Sequence, residues 1–322
     1  MKFPALVCSF FLAAVSTGAG SAILQQSAAP PQVARLPAQL SPAEIELYKG
    51  AQTLIAWTPR QIHDSPFLHK LRPPGSQDEL PMVLDRAGQT VARFYRDFPK
   101  VACVEQVLSE AMREGTRSRH GMPLYPPKPQ KFLYIVIPRP LGDLQGFEEY
   151  RTDLKGNPVD ASSLDPRFTI TADFVSTGLY LSAADQPDST FRYFGIQAIR
   201  NRECHVVGFA QNPERVHSVG VFIYSGKPVV LLVQGLAWID LQTFQIVRVV
   251  TWLLAPRTDI SLKSETSTVD FFPVQPSESE KVLWLPRDVT VEIVYRSMVF
   301  RNTHHYSNFK LFRAETTIKP GP

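Results

Sequence analysis

Histidine, cysteine and carboxylate side chains move protons, attack substrates and hold metals near neutral pH, so their spacing sets the first limits on this chain's chemistry. His304 and His305 are neighbours in a segment that reads as a strand. Their side chains therefore point to opposite faces and cannot converge on one metal. Cys204 and His205 fail as nucleophile and base for the same reason. His63, His69, His120 and His217 have no companion at a ligand spacing. Glu148 and Glu149 would diverge along a strand, and no Gly-x-Ser-x-Gly elbow occurs. Ser225-Gly226-Lys227 lacks the glycine-rich lead and following helix of a phosphate loop. The chain reads as non-enzymatic, with no catalytic residue, metal site or cofactor expected, and a hydrolase ranks lowest among its alternatives.

The elements that would carry any site are legible from spacing. Ser41-Pro42-Ala43-Glu44 is a helix start, with a capping hydroxyl, a first-turn proline and a glutamate three residues after the cap. The spacing predicts a helix through Ile45, Tyr48 and Leu54 towards Trp57, followed by a stretch that Pro59, Pro66, Pro73 and Pro74 keep out of long helices. Leu80, Val83, Leu84, Ala87, Val91, Phe94, Tyr95 and Phe98 recur every three or four residues, which makes a second, strongly amphipathic helix ended by Pro99. From Val101 the period drops to 2, and strands follow at 131–137, 191–200, 204–211, 229–233, 236–240, 246–254, 266–272, 290–295, 299–306 and 308–317. Residues 157–190 are irregular and leave room for a short helix. Polar joints such as Asn201-Arg202 and Arg296-Ser297 predict hairpins, hence antiparallel pairing.

Ile246 to Leu254 is apolar on both faces: Ile246, Val250, Trp252 and Leu254 on one, Val247, Val249 and Leu253 on the other. One face can pack on the helix at 80–98. The other needs a second apolar layer, which a strongly curved sheet folding over its own concave interior would supply. That interior could be filled or hollow. The fold class is thus α+β: a strongly curved antiparallel sheet, or half-barrel, with a long amphipathic helix packed on it and an N-terminal helical extension.

At 44% apolar and 20% charged, the composition is that of a globular protein. The segment MKFPALVCSFFLAAVSTGAGSA has the layout of a secretory signal, one Lys, an apolar run too short to span a bilayer, then small residues. Its removal would take Lys2 and lower the formal net charge from +4 to +3. So mild a balance excludes the basic footprint of a nucleic-acid binder. Arg113, Arg117, Arg119, Lys128 and Lys131 could still rest on an anionic envelope surface, or simply form a solvated loop. Export leaves Cys103 and Cys204, an even count that points to a disulfide in an oxidising compartment, with two buried free thiols as the alternative.

The helix followed by a long run of antiparallel strands, together with AWIDLQTFQIVRV, resembles the lipoprotein-carrier superfamily of LolA, LolB and RseB. LYKGAQTLIAWTP and LWLPRDVTVEIVYRSMVFRNTHHYSNFKLF are similar to secreted bacterial proteins of that arrangement. A glycine common after Trp-Ile-Asp in that superfamily is replaced here by Phe244, which suggests a wider loop. The resemblance implies a half-barrel with an apolar concave side, and permits lipid or lipoprotein handling.

The resulting expectation is a signal peptide at 1–22, a disordered leader at 23–40, a helical extension at 41–78 and a half-barrel domain at 79–322. The protein would be secreted or periplasmic and would bind an apolar ligand such as lipid or lipoprotein acyl chains. A structural or sensing envelope protein acting through protein contacts is the alternative. Strand aromatics and their neighbours, Trp238, Val250, Trp252, Phe222, Tyr224 and Phe300, are the candidate ligand-lining residues.

Overall fold

Two-residue periodicity from Val101 onward becomes one large sheet. A computed structural model describes residues 7–9, 40–115, 127–141, 144–159, 170–172, 175–216, 220–224, 227–277, 279–280 and 282–311. The expected signal, apart from residues 7–9, and nearly all of the expected leader lie outside this set. Three α-helices come first, α1 (Pro42–Lys49), α2 (Pro59–Asp64) and α3 (Leu80–Asp97). The large sheet contains β2 (Val101–Arg113), β3 (Lys128–Leu141), β4 (Leu144–Thr152), β6 (Ser189–Ile199) and β7 (Arg202–Gln211). It continues with β10 (Val233–Asp240), β11 (Ile246–Leu253), β12 (Leu262–Val274), β13 (Leu283–Tyr295) and β14 (Met298–Leu311). A separate four-stranded sheet joins β1 (Val7–Ser9), β5 (Ile170–Ala172), β8 (Gly220–Tyr224) and β9 (Lys227–Leu231) in the order β5-β1-β8-β9.

The ten strands run β4-β3-β2-β14-β13-β12-β11-β10-β7-β6, every neighbour antiparallel, so two meanders meet where β14 pairs with β2. The sheet is open, with β4 and β6 at its edges, and has the α+β half-barrel form expected from the pattern. Tight hairpins carry the strand twist, with Arg200 and Asn201, then Arg296 and Ser297, at positive φ. Asp240 organises the turn to β11 by accepting hydrogen bonds from the backbone N–H groups of Gln242 and Thr243. Phe244 itself takes the left-handed conformation there, at φ 56°.

Three sequence expectations change. The first helix stops at Lys49, and Leu54–Ala56 form a separate 3-10 turn, because Gly50 closes α1. The strands expected at 299–306 and 308–317 join in one strand, β14, in which Asn308 at φ 55° marks a register shift rather than a turn; residues 312–317 lie outside the described residues. The irregular span before β6 holds 3-10 turns at Val175–Leu181 and Gln186–Asp188.

The second face of β11 is the larger correction. Its inner side, with Val249 and Leu253, shares a core with Val83, Ala87, Val91 and Tyr95 of α3. Its outer side is covered by the N-terminal extension, not by the sheet curling over itself. Leu54 and Leu68 join Val206, Leu236, Trp238 and Val250 in a second core, with Trp57, Phe67 and Trp252 packed against it. The Trp252 ring stacks with Trp57 at 5.9 Å and with Phe67 at 6.1 Å. Gly208 is required beneath this layer, since a Cβ there would stand 2.2 Å from Leu54 and 2.4 Å from Phe194. The chain then rounds the β6 edge and enters α3 on the inner side, so residues 54–79 form a strap over both the outer face and the edge.

The expected Cys103–Cys204 disulfide is absent: both are free, buried thiols. Cys103 on β2 belongs to the inner core and Cys204 on β7 to the outer one. Six strand steps of about 4.8 Å separate β2 from β7, whereas a disulfide needs Cα atoms within about 7 Å. Burial pushes both thiols up, Cys204 to about 12.

Deep on the inner face, Glu105 accepts hydrogen bonds from Arg151 Nε (2.5 Å) and Nη2 (2.9 Å) and from the Tyr306 hydroxyl (2.8 Å), and lies 2.8 Å from His304 Nδ1. Burial alone would raise the Glu105 pKa. The Arg151 charge and the hydrogen bonds from His304 and Arg151 outweigh it and hold the carboxyl well below the usual range. A depressed acid contributes stability that is present above its unfolded value, about 4.3, and is lost as the pH falls towards the folded one.

Two predictions follow from this packing. Thiol labelling with mass spectrometry of nonreduced native protein should find Cys103 and Cys204 unlinked and unreactive until denaturant is added; a cross-linked peptide pair would contradict the two-core arrangement. Glu105→Gln should lower stability at pH 7 by about 3–5 kcal/mol and flatten the acid loss below about pH 4. Urea unfolding across a pH series measures both, and an unchanged midpoint would refute the role given to Glu105.

Candidate functional site

A strand at the edge of a sheet offers unpaired N–H and C=O groups, and β6 manages this with the strap. Arg72 makes a two-way backbone bridge to Ile196, its N–H donating at 2.8 Å and its C=O accepting at 3.0 Å. Gly195, at φ +117°, permits that approach, because a Cβ would fall 2.0 Å from the Arg72 carbonyl oxygen. Gln77 imitates a strand with its side chain: its Nε2 donates to the Tyr193 carbonyl at 2.9 Å and its Oε1 accepts from the Tyr193 N–H at 2.8 Å. From β6, Arg192 Nη1 donates to the carbonyls of Ile55 and Trp57. Gln197 Nε2 donates to those of Phe67 and His69.

Between strap and edge lies a cleft of about 810 Å³. Ile62, Leu68, Leu71, Pro73, Pro74 and Phe194 supply apolar wall, while His63, His69, Lys70 and Arg192 line it with polar and basic groups beside a single carboxylate, Asp64. Pro59, Pro73 and Pro74 of the strap are among the cleft's lining residues, each with φ fixed by its ring. By contrast, the opening where α3 meets Ile246, Phe271 and Trp284 is only about 30 Å³. Among the described residues, Val83, Ala87, Val91 and Tyr95 of α3 are buried against the inner face.

Tyr193 and His205, beside the cleft, are committed to structure. The Tyr193 hydroxyl, 2.9 Å from His205 Nδ1, donates to Glu79 at 3.1 Å. Burial raises the tyrosine and lowers the histidine, so at neutral pH the first keeps its proton and the second is uncharged. His304 is turned inward to Glu105 and His305 outward to Asp288, 2.6 Å away, the opposed directions that strand alternation requires. Among the described residues no group of three His, Cys, Asp or Glu side chains could hold a metal ion.

Of the lining candidates read from sequence, Trp238, Val250 and Trp252 do come together, but as packing beneath the strap. Trp238 is fully buried, with its Nε1 donating to Gln197 Oε1 at 2.8 Å. Phe300 packs half-buried against the inner core. Phe222 and Tyr224 are placed as backbone in β8, and their side chains lie outside the described residues. Of the basic group, Arg113 ends β2 and Lys131 is exposed on β3. Lys128 is placed as backbone only, and Arg117 and Arg119 lie outside the described residues. Ile62, Leu71 and the rest of the cleft wall were missed, although the lone glycines in β6 and β7 carried a signal of close backbone or side-chain approach.

No family model matches the chain, and no curated protein matches its sequence. Among solved structures it is similar to a putative outer membrane lipoprotein-sorting protein domain from Vibrio parahaemolyticus, at 9% identity over 73% of this chain and 94% of that one, with TM-score 0.39. It is similar to a DUF1329 family protein from Desulfovibrio piger, at 12% identity over 74% and 95%, with TM-score 0.39. It is also similar to a LolA superfamily protein from Nitrosomonas europaea, at 12% identity over 71% and 94%, with TM-score 0.31.

Proposed function

We propose that this is a secreted or periplasmic, non-enzymatic binding protein for an apolar ligand such as a lipid or lipoprotein acyl chain. The observation that carries this reading is the edge cleft. Its volume, about 810 Å³, falls within the roughly 300–1,000 Å³ of small-molecule sites, and its walls are largely apolar. Each methylene taken out of water contributes about 0.8 kcal/mol. About ten of them would supply roughly 8 kcal/mol, micromolar affinity before ordering costs. The histidines, Lys70 and Arg192 suit a chain with an acidic head near the mouth.

A structural or sensing role through protein contacts is the second reading, and the apolar core packed beneath α3 favours it. The two separate on one experiment. Native mass spectrometry of protein released gently from the envelope should show added lipid-sized mass, and apo protein should take up palmitate. Leu71→Trp, which fills the cleft, and Ile62→Asp, which charges its wall, should each weaken palmitate binding more than about tenfold while changing thermal stability by about 1 kcal/mol or less. Clean apo mass together with no palmitate uptake would refute the binding reading and leave the structural one.

A further inference from the structure

The outer face carries a charged row that the edge cleft does not use. Arg248 on β11, Asp270 on β12, Asp288 on β13 and His305 on β14 are successive cross-strand partners. Arg248 grips Asp270 with two hydrogen bonds, from Nε at 2.7 Å and from Nη2 at 2.8 Å. A bulge then interrupts the pairing of β12 with β13: Asp270 faces Asp288 and Phe271 faces Pro286, so Arg287 has no opposite number. An extra residue of this kind re-aims its side chain. Here the Arg287 guanidinium is turned over the Phe272 ring, with its carbon 3.2 Å from the ring centre.

The β6–β7 hairpin supplies a second guanidinium. Arg200, at φ 48° in that turn, reaches the same ring with its carbon 3.9 Å from the centre. Two groups so close to one ring centre would collide on a single face, so they clasp Phe272 between them, their charged carbons no more than about 7 Å apart. Arg202 extends the arrangement over Trp284, at 4.9 Å. Phe272 itself belongs to none of the apolar cores of the described residues.

The nearby carboxylates leave this group short of negative charge. Asp270 serves Arg248 and also accepts from Arg200 Nη2 at 3.2 Å, whose other bond goes to the Val247 carbonyl. Asp288 accepts from Arg287 Nε at 3.0 Å and faces His305. Three arginines thus share two carboxylates, while Arg202 has its own in Asp240. Burial first, and then the Arg248 and Arg287 charges against the opposing pull of Asp270, hold Arg200 below its usual range. Among the described residues, Arg200 Nε and Nη1 and both terminal nitrogens of Arg287 have no hydrogen-bond partner, and both side chains are partly exposed. These donors specify a ligand. A planar monoanion would satisfy one guanidinium and leave the other repelled. A tetrahedral dianion directs oxygens towards both and carries the charge to neutralise both.

We propose that Arg200, Phe272 and Arg287 form a binding site on the outer face for a phosphate group, with Arg202 and Arg248 reinforcing its positive field. The site shares no residue with the edge cleft and goes beyond the function proposed for it.

The test is titration calorimetry of the full chain at low salt with inorganic phosphate and with acetate, each variant being checked for folding by its thermal melt. Wild type should bind phosphate at least about tenfold more tightly than acetate. Arg287→Gln and Arg200→Gln should each weaken phosphate binding at least about tenfold. Phe272→Leu, which removes the platform but no charge, should weaken it about fivefold. Arg301→Gln, which removes the same charge elsewhere on the outer face, should leave it unchanged. Equal binding of the two anions, no phosphate binding, a Phe272→Leu protein of unchanged affinity, or equal losses in Arg287→Gln and Arg301→Gln would overturn the site. Flotation with phosphatidylcholine vesicles, with and without phosphatidic acid, separates the sources of the phosphate. Binding of free phosphate alone supports the site with a soluble phosphate ester as its occupant, and vesicle binding that needs phosphatidic acid and is competed by free phosphate supports it with a head group. The palmitate result tests the cleft alone.

Discussion

A strand that is apolar on both faces must be covered twice, and β11 imposes that demand on the whole molecule. One cover is a regular helix on the inner side. The other is the strap, which holds only short helical turns and is tied to β6 by hydrogen bonds. Arg192, Gln197 and the bridge at Ile196 hold strap carbonyls and amides that would otherwise be buried unpaired. The hydrophobic contact of Trp252 with Trp57 and Phe67 supplies the driving force, and these polar ties fix its geometry.

Periodicity made much of this legible. The three-and-four spacing of Val83, Ala87, Val91 and Tyr95 located α3, and alternation located most strands of the large sheet but not β4. The joint at Arg296-Ser297 located one hairpin, and that read at Asn201-Arg202 located another, whose turn falls one residue earlier at Arg200-Asn201. The partner of the second β11 face was not legible, because Leu54, Trp57, Phe67 and Leu68 follow no period and meet the sheet through non-local packing alone. The thiols failed for a related reason: an even count says nothing of which core each strand faces. The cleft could not be read either, since it lies between a proline-rich segment and an edge whose position depends on the order of ten strands.

The inner face combines two kinds of polar burial. Glu105, Arg151, His304 and Tyr306 satisfy one another, and such a network fixes strand register while costing desolvation. Ser109 and Gln130 lie nearby with atoms that are not satisfied.

The strap is written first in the chain and fastened to parts written much later. The Leu54 N–H donates to the side-chain oxygen of Gln234, 180 residues downstream, and the Ile55 carbonyl accepts from Arg192, 137 residues away. A segment emerging N-terminus first therefore waits, greasy and unsupported, until β6, β7, β10 and β11 have been delivered and paired. Contacts of such long sequence separation form slowly. During that interval Trp57 and Phe67 are available to any escort that shields apolar segments, so assembly of this protein is tied to completion of its synthesis more than to the strength of any one contact.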